Sequence, residues 1–276
     1  MFQFSDSKSI GQGKFRKDGR EGMFSNRKTS HEFTLIELLV VVSIIAILAG
    51  ILLPVLNKAR NKGKETVELN AVKQLMLGYQ YYSDESAGYL LPGYTSWTTP
   101  LVDDRGHSMV MPIVSMRWPW RLYPQLKSLH GTILTGAMSE FMKSYPLTDT
   151  FYNYYISVFP SFAYNYYNIG GQYPDPKNNA MNDPDVAVKT NEIKQPSRLI
   201  TFVSAFSGTQ PYGYMYCIDP IKGGWETLPF DPNNAYGYVH ARWSKRAVTG
   251  EADGHAEMVA FDTLRKETNR WKNRKN

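Results

Sequence analysis

Cysteine is almost absent from this sequence, with Cys217 alone among 276 residues. A single thiol excludes an intrachain disulfide and a zinc site made of several cysteines. Clustered positive charge is also scarce: the net charge is +6, but the excess is dispersed except in the stretch LRKETNRWKNRKN, residues 264–276. We interpret that stretch as a solvated helix end, and we expect no nucleic-acid partner.

Catalytic motifs are lacking as well. There is no Gly-x-Ser-x-Gly, and Cys217 has no signature partner that would activate it as a nucleophile. The GQGK at residues 11–14 has no strand and helix pattern around it, so it does not indicate a phosphate-binding loop. We therefore expect no enzyme activity.

Charge is nearly missing from residues 33–53, where Thr34, Glu37 and Ser43 are the only polar side chains. A helix of these 21 residues spans the roughly 30 Å hydrocarbon core of a bilayer. The run is longer than the apolar region of a secretory signal peptide, and no small-residue cleavage site follows it. We interpret it as a transmembrane helix. Basic residues before it favour a cytoplasmic N-terminus, although four more at 58–64 weaken that inference.

The helical pattern continues beyond Pro54 to residue 85. Apolar and small residues recur there at steps of three and four, namely Leu56, Ala59, Gly63, Val67, Leu69, Val72, Met76, Tyr79 and Tyr82. The charged residues expected to face mostly outward are Lys58, Lys62, Glu65, Glu68 and Lys73. We predict one helix, made of a membrane span at 33–53 and an amphipathic half at 54–85. Pro54 should kink it, because proline removes a backbone donor.

The segment FTLIELLVVVSIIAILAGILLPVLNKAR, residues 33–60, resembles the N-terminal segment of type IV pilins and type II secretion pseudopilins. The matching positions are Phe33, Thr34, Leu35, Ile36, Glu37 and Pro54. The resemblance implies that a prepilin peptidase removes a leader, residues 1–32 or a shorter one starting at Met23, and that Phe33 becomes the N-methylated terminus. Glu32 stands where the family usually has glycine.

Glu37 is the residue that an ordinary membrane anchor does not explain. A carboxylate in the bilayer interior costs at least about 2 kcal/mol unless it is paired. The resemblance implies that Glu37 of one subunit neutralises the terminal amine of a neighbouring Phe33 as subunits join a filament. The alternative is a side chain that reaches back to the lipid headgroups.

Glycine, proline and aromatic residues become frequent after residue 85, which marks the start of a head domain at 86–276. One short helix or two are predicted within 117–126 and 132–146. Strand-like segments follow at 151–159, 161–169, 198–206, 212–218 and 247–261. We predict an α+β, pilin-like fold in which the long helix packs on an antiparallel sheet.

Asp253 and Gly254 lie between alternating segments and predict a hairpin over 248–259, with Thr249 and Glu251 on the face opposite Val248. With His240 upstream, they resemble the C-terminal His to Asp-Gly motif of a pseudopilin-like family found in planctomycetes and verrucomicrobia.

Two metal sites are conceivable in the head. His255 and Glu257 share one strand face and could ligate a metal, with Asp231 as a further candidate, although we favour solvated turn residues. Calcium could bind loop aspartates, namely Asp175, Asp183, Asp185, Asp219 and Asp231. We expect no cofactor.

The function implied by the resemblance is a structural subunit of a type II secretion pseudopilus or a related pilus-like filament. Its partners would be a prepilin peptidase, other pilin subunits and the inner-membrane platform of the secretion system. It would cross the cytoplasmic (inner) membrane once, with a periplasmic head. The alternative is a tethered extracytoplasmic binding module or enzyme. The aromatic segment 150–171 could stack on polysaccharide in such a module, or it could supply core residues.

Overall fold

The computed structural model describes residues 34–98, 100–109, 111–146, 151–173, 185–206, 215 and 238–274. The chain divides into two compact units, Met1–Leu52 and Leu53–Asn276. Helix α1, Leu35–Glu85, begins in the first unit and ends in the second. The predicted long helix is confirmed and contains Pro54. The kink at Pro54 stays a prediction.

The first unit contains the apolar part of α1. Its large hydrophobic side chains are exposed from Leu35 to Leu52, with Leu35 and Ile36 the most open. By length and composition, α1 could cross a membrane. A helix that is hydrophobic all round can bury this surface only in lipid or against other apolar surfaces. The structure is therefore compatible with a single-pass membrane protein.

Four short helices follow in the second unit: α2 Pro112–Ser115, α3 Trp118–Leu126, α4 Gly136–Ser144 and α5 Tyr152–Val158. Helices α3 and α4 lie in the segments where one short helix or two are predicted, and the structure has one in each. Pro119 lies in the first turn of α3, where a missing N–H removes no helical hydrogen bond. Trp118 and Trp120 are fully buried, and the indole N–H of Trp120 donates to the main-chain oxygen of Asn153 at 2.9 Å.

The strand predicted at 151–159 is wrong, because this segment forms helix α5. Its tyrosines, isoleucine and valine favour strands in general. However, Tyr152 and Ile156 are both buried, and a spacing of four residues places them on one helical face. Packing of that face against the core outweighs the strand propensity of the segment.

The sheet contains β1 Phe162–Tyr164, β2 Ile200–Phe206, β3 Tyr238–Val239, β4 Arg246–Glu251 and β5 Ala256–Ala260. All pairings are antiparallel, in the order β1-β2-β4-β5, and β3 also pairs with β2. The strand predicted at 161–169 is limited to three residues. Of the one predicted at 212–218, only Met215 is described. The α+β class with an antiparallel sheet is confirmed.

Alternate strand residues enter two hydrophobic cores. The first joins Val72, Leu75 and Met76 of α1 to the sheet, whose contributions are Phe162, Tyr164, Phe202 and Val248. The second contains Ala163, Val203 and Ala247 with Leu264 and Trp271. Helix α1 passes so close to β4 that a Cβ on Gly250 would lie 2.7 Å from Cγ1 of Val72. Glycine is therefore required where the helix crosses the strand.

The buried face of the second half of α1 differs from the predicted one. Glu65 and Glu68, expected outward, are only 8% and 2% exposed, whereas Val67 is 58% exposed. The carboxylate of Glu65 accepts a hydrogen bond from Arg246 at 3.1 Å. Glu68 accepts one from the indole N–H of Trp243. Partners supplied by the head therefore turn two charged positions inward.

The solvated helix end predicted at 264–276 is wrong in part, because Leu264, Arg270, Trp271 and Asn273 are buried. Helix α6, Phe261–Lys266, is followed by a 3-10 turn at Thr268–Arg270. Trp271 is fully buried, and its main-chain oxygen accepts a hydrogen bond from the side chain of Asn165 at 3.0 Å. The segment covers the second face of the sheet.

Candidate functional site

Thr34 and Glu37 form a reciprocal cap at the start of α1. Oε2 of Glu37 accepts hydrogen bonds from the main-chain N–H of Thr34 at 2.9 Å and from its hydroxyl at 2.8 Å. The main-chain N–H of Glu37 donates to Oγ1 of Thr34 at 3.2 Å. This capping box satisfies donors that a helix end leaves unpaired. The Thr-x-x-Glu spacing is the sequence signal for such a cap. Our interpretation of the sequence assigns Glu37 only the role of pairing with an amine and does not predict the cap.

The cap uses one oxygen of the Glu37 carboxylate. The other, Oε1, has no partner among the described residues. Glu32 and Phe33, the predicted processing site, lie outside those residues, as does the leader. Cleavage and amine pairing therefore stay predictions, and the carboxylate retains one oxygen for a partner.

The β4–β5 hairpin is confirmed, but its turn has three residues, 252–254. The N–H of Glu251 donates to the oxygen of His255 at 3.0 Å, and the N–H of Gly254 donates to the oxygen of Glu251 at 2.9 Å. Gly254 has a φ of +99°, whereas Asp253 has no positive φ. A three-residue loop with glycine in the left-handed position is a common hairpin geometry.

The polar face predicted for β4 is not solvated. Thr249 and Glu251 are fully buried, because the segment carrying Arg270 and Trp271 packs over them. The hydroxyl of Thr249 donates to Oε1 of Glu251 at 2.7 Å, and Nη2 of Arg270 lies 2.8 Å from the same oxygen. Burial raises the pKa of the Glu251 carboxyl, against the lowering effects of Thr249, His255 and Arg270.

Glu251, His255 and Glu257 converge beside the turn, and one ligand atom from each lies within 4.8 Å of the others. Ligand type and spacing would suit a metal ion. However, Nη2 of Arg270 contacts both carboxylates. A guanidinium in that position neutralises the carboxylates and repels a divalent cation. We interpret the cluster as a structural ion-pair network. Asp231 lies outside the described residues.

His255 does not have the contacts of a general base. Its Nδ1 lies 2.5 Å from Oδ1 of Asp253, and its Nε2 lies 3.4 Å from Oε2 of Glu251. Both ring nitrogens therefore face carboxylates. A base that activates a nucleophile needs one nitrogen directed at a hydroxyl or thiol, and no such contact of His255 occurs in the described part of the chain.

His240 lies directly after β3, away from the Asp253-Gly254 turn in the strand order. Its N–H donates to the main-chain oxygen of Ser204 on β2 at 2.8 Å. Burial, and secondarily the charge of Arg242, lowers the pKa of His240 to about 3. The imidazole is therefore neutral at physiological pH.

The remaining candidates are explained by packing or lie outside the described residues. Asp185 pairs with Lys194 at 3.4 Å and with Arg274 at 3.3 Å, which leaves it a poor calcium ligand. The positions outside are Asp175, Asp183, Cys217 and Asp219. Most aromatic residues of 150–171 are core residues, namely Tyr152, Phe162, Tyr164, Tyr166 and Tyr167.

No family model, no curated protein and no solved structure matches this chain. The likeness to pilins therefore rests on the sequence of residues 33–60 and on the motif of His240, Asp253 and Gly254, and the α+β fold rests on the structure itself.

Proposed function

We propose that this chain is a pilin-like structural subunit of a type II secretion pseudopilus or a related filament. In this proposal the precursor crosses the inner membrane once, and a prepilin peptidase releases Phe33. Residues 86–276 form an extracytoplasmic head. Other subunits and the inner-membrane platform of the secretion system are its partners.

The observation that carries the proposal is Glu37, the one charged residue in the exposed apolar part of α1, residues 35–53. An ionised carboxylate in that setting needs a counter-charge. Its own-chain partner, Thr34, supplies two neutral donors to one oxygen only. A neighbouring α-amine would supply the missing positive charge and reach the second oxygen.

The exposed apolar surface of α1 supports the same proposal. Apolar side chains surround the helix from Leu35 to Leu52, so lipid can cover it before assembly and neighbouring helices can cover it afterwards. Exchange between these two environments changes little apolar burial, because lipid tails and apolar side chains are similar solvents. The pairing of Glu37 would then favour the assembled state.

The test compares Glu37→Leu with Thr34→Val in cells that assemble the filament. Glu37→Leu loses a costly charge, so membrane insertion should be unchanged or improved, while incorporation into sheared filaments should be lost. Thr34→Val removes the hydroxyl of the cap but keeps the carboxylate, and it should retain incorporation. Resistance to alkaline carbonate extraction reports insertion for each variant.

Equal filament yield from wild type and Glu37→Leu would contradict the proposal. It would favour the alternative, a tethered binding module or enzyme, which should also tolerate replacement of residues 33–53 by an unrelated membrane span.

The processing step has its own test. N-terminal sequencing of the membrane-bound protein should show that the chain begins at Phe33. Recovery of intact residues 23–32 in the presence of an active prepilin peptidase would argue against processing.

A further inference from the structure

A polar, basic segment follows the apolar run of α1, so positive charge is clustered here as well as at 264–276, contrary to our interpretation of the sequence. Residues 57–64 read NKARNKGK, with four cations and no carboxylate. All eight residues are exposed in the structure. The first acidic residue after them, Glu65, is buried against the head. The segment therefore carries a local excess of positive charge.

Few of these charges have partners. Nζ of Lys62 pairs with Oε1 of Glu65 at 2.7 Å, and Glu65 is shared with Arg246. Lys58, Arg60 and Lys64 make no ion pair or side-chain hydrogen bond with any residue that the structure describes. Three guanidinium or ammonium groups are therefore available to an external anion.

The four cations surround the helix. Successive residues turn by about 100° in an α-helix, so Lys58 and Lys62 lie on one side and Arg60 and Lys64 on the opposite side. From Lys58 to Lys64 the rise is about 9 Å. A protein partner would dock against one side. A ring of charge at one level instead suits a planar anionic layer that the helix crosses.

We propose that Lys58, Arg60, Lys62 and Lys64 form a collar that binds the headgroups of anionic phospholipids where α1 leaves the bilayer. The proposal rests on the membrane span of the proposed function. Lys58 lies about 7.5 Å beyond Leu53 along the helix, which matches a headgroup layer of about 5 to 8 Å per leaflet.

The flexible stems of the collar can follow the bilayer surface. Lysine and arginine extend their charged ends into the headgroup region while the methylene groups stay near the apolar boundary. Anionic headgroups attract such juxtamembrane cations within a Debye length of the surface. The collar would therefore select anionic lipids around α1 and hold the start of the amphipathic half at the bilayer surface.

The experiment uses the full chain in nanodiscs of phosphatidylcholine and phosphatidylglycerol, with spin-labelled versions of each lipid as probes. We expect wild type to prefer phosphatidylglycerol by about threefold or more at about 0.05 M NaCl, with the preference largely lost at about 0.5 M. The variant K58Q/R60Q/K64Q should show no preference. The matched control K73Q/K127Q/K266Q removes three exposed cations elsewhere and should behave as wild type.

Equal preference in the collar and control variants would overturn the proposal, as would a preference that salt does not reduce. Loss of cross-linking between copies in the collar variant, with lipid preference unchanged, would also overturn it and assign the collar to a protein contact. Glu37→Leu separates the two proposals, because it should keep the lipid preference even where filaments fail. Release of wild type by alkaline carbonate would contradict the membrane span itself.

Discussion

The side-chain amide of Gln80, on α1, donates a hydrogen bond to the main-chain oxygen of Asp253 at the β4–β5 turn, with an Nε2 to O distance of 3.1 Å. The turn therefore docks on the helix. Gly254 permits the contact, because a Cβ at this position would lie 2.3 Å from Nε2 of Gln80. Its φ of +99° independently favours glycine.

Gly254→Ala should lower the free energy of unfolding by about 1–3 kcal/mol, through backbone strain and through the clash with Gln80. Urea denaturation of the full chain in detergent measures the change. The double-mutant cycle with Gln80→Ala separates the two causes. Gly254→Ala should cost less unfolding free energy in the Gln80→Ala background than in wild type. If the effects of the two substitutions were strictly additive, the clash would contribute nothing.

Removing the carboxylate of Glu68 should also lower the free energy of unfolding substantially. It is buried and accepts from Trp243, and Oε1 lies 3.0 Å from Nη2 of Arg242. Glu68→Ala leaves Arg242 without its counter-charge and the indole without its acceptor, so we expect a loss of about 3 kcal/mol in unfolding free energy. Lys73→Ala, at an exposed position of the same helix, should change it by less than about 0.5 kcal/mol. Similar effects of the two substitutions would contradict the role of Glu68.

Glu68 also shows what hydrophobic periodicity cannot predict. The length of α1 and its end near residue 85 follow from local pattern, and the structure confirms them. The inward position of Glu68 depends on Trp243, 175 residues later in the chain. A glutamate in an amphipathic helix is normally placed outward, and no local signal announces a distant partner.

Substitutions in the turn before β4 should stabilise the protein. Ser244 and Lys245 have φ values of +49° and +61°, and Trp243 and Arg246 exchange hydrogen bonds of 3.1 and 2.9 Å across them. Two positive φ angles define a turn that asparagine and glycine adopt with little strain. S244N/K245G should therefore stabilise the chain by about 1 kcal/mol. Lys245→Val, as the converse variant, should lower the free energy of unfolding. If Lys245→Val were more stable than S244N/K245G, the turn would not be strained.

His240 should make stability depend on pH. Its folded pKa, about 3, lies below the unfolded value of about 6.5. The contribution is therefore fully present above pH 6.5 and is lost as pH falls towards the folded pKa. Between about pH 7 and pH 5, wild type should lose about 2 kcal/mol more than His240→Asn. An unchanged dependence in His240→Asn would refute the prediction.

Because Arg270 contacts two of its carboxylates, the cluster of Glu251, His255 and Glu257 should not bind a metal ion. Calcium or zinc at millimolar concentration should leave the melting temperature of wild type and of His255→Ala unchanged. Arg270→Gln removes the guanidinium that contacts both carboxylates, so only this variant should gain metal-dependent stabilisation. A rise of several degrees in wild type that His255→Ala abolishes would establish a metal site instead.

Two further differences between sequence and structure have the same origin as Glu68. The segment 151–159 has the composition of a strand, yet the core accepts Tyr152 and Ile156 from one side of a helix. Trp271 lies in a basic stretch with the pattern of a solvated end, yet Asn165 binds its main-chain oxygen. By contrast, the Asp-Gly turn is encoded locally, and the hairpin could be predicted from it.

The contact between Glu68 and Trp243 also has a kinetic consequence. Closing a loop of 175 residues costs more entropy than a local contact, and such long-range topology slows folding. Ribosomes deliver α1 long before β4, so the apolar face around Val72 and Met76 has no sheet to cover it during synthesis. That face is therefore vulnerable to aggregation until the sheet has been synthesised.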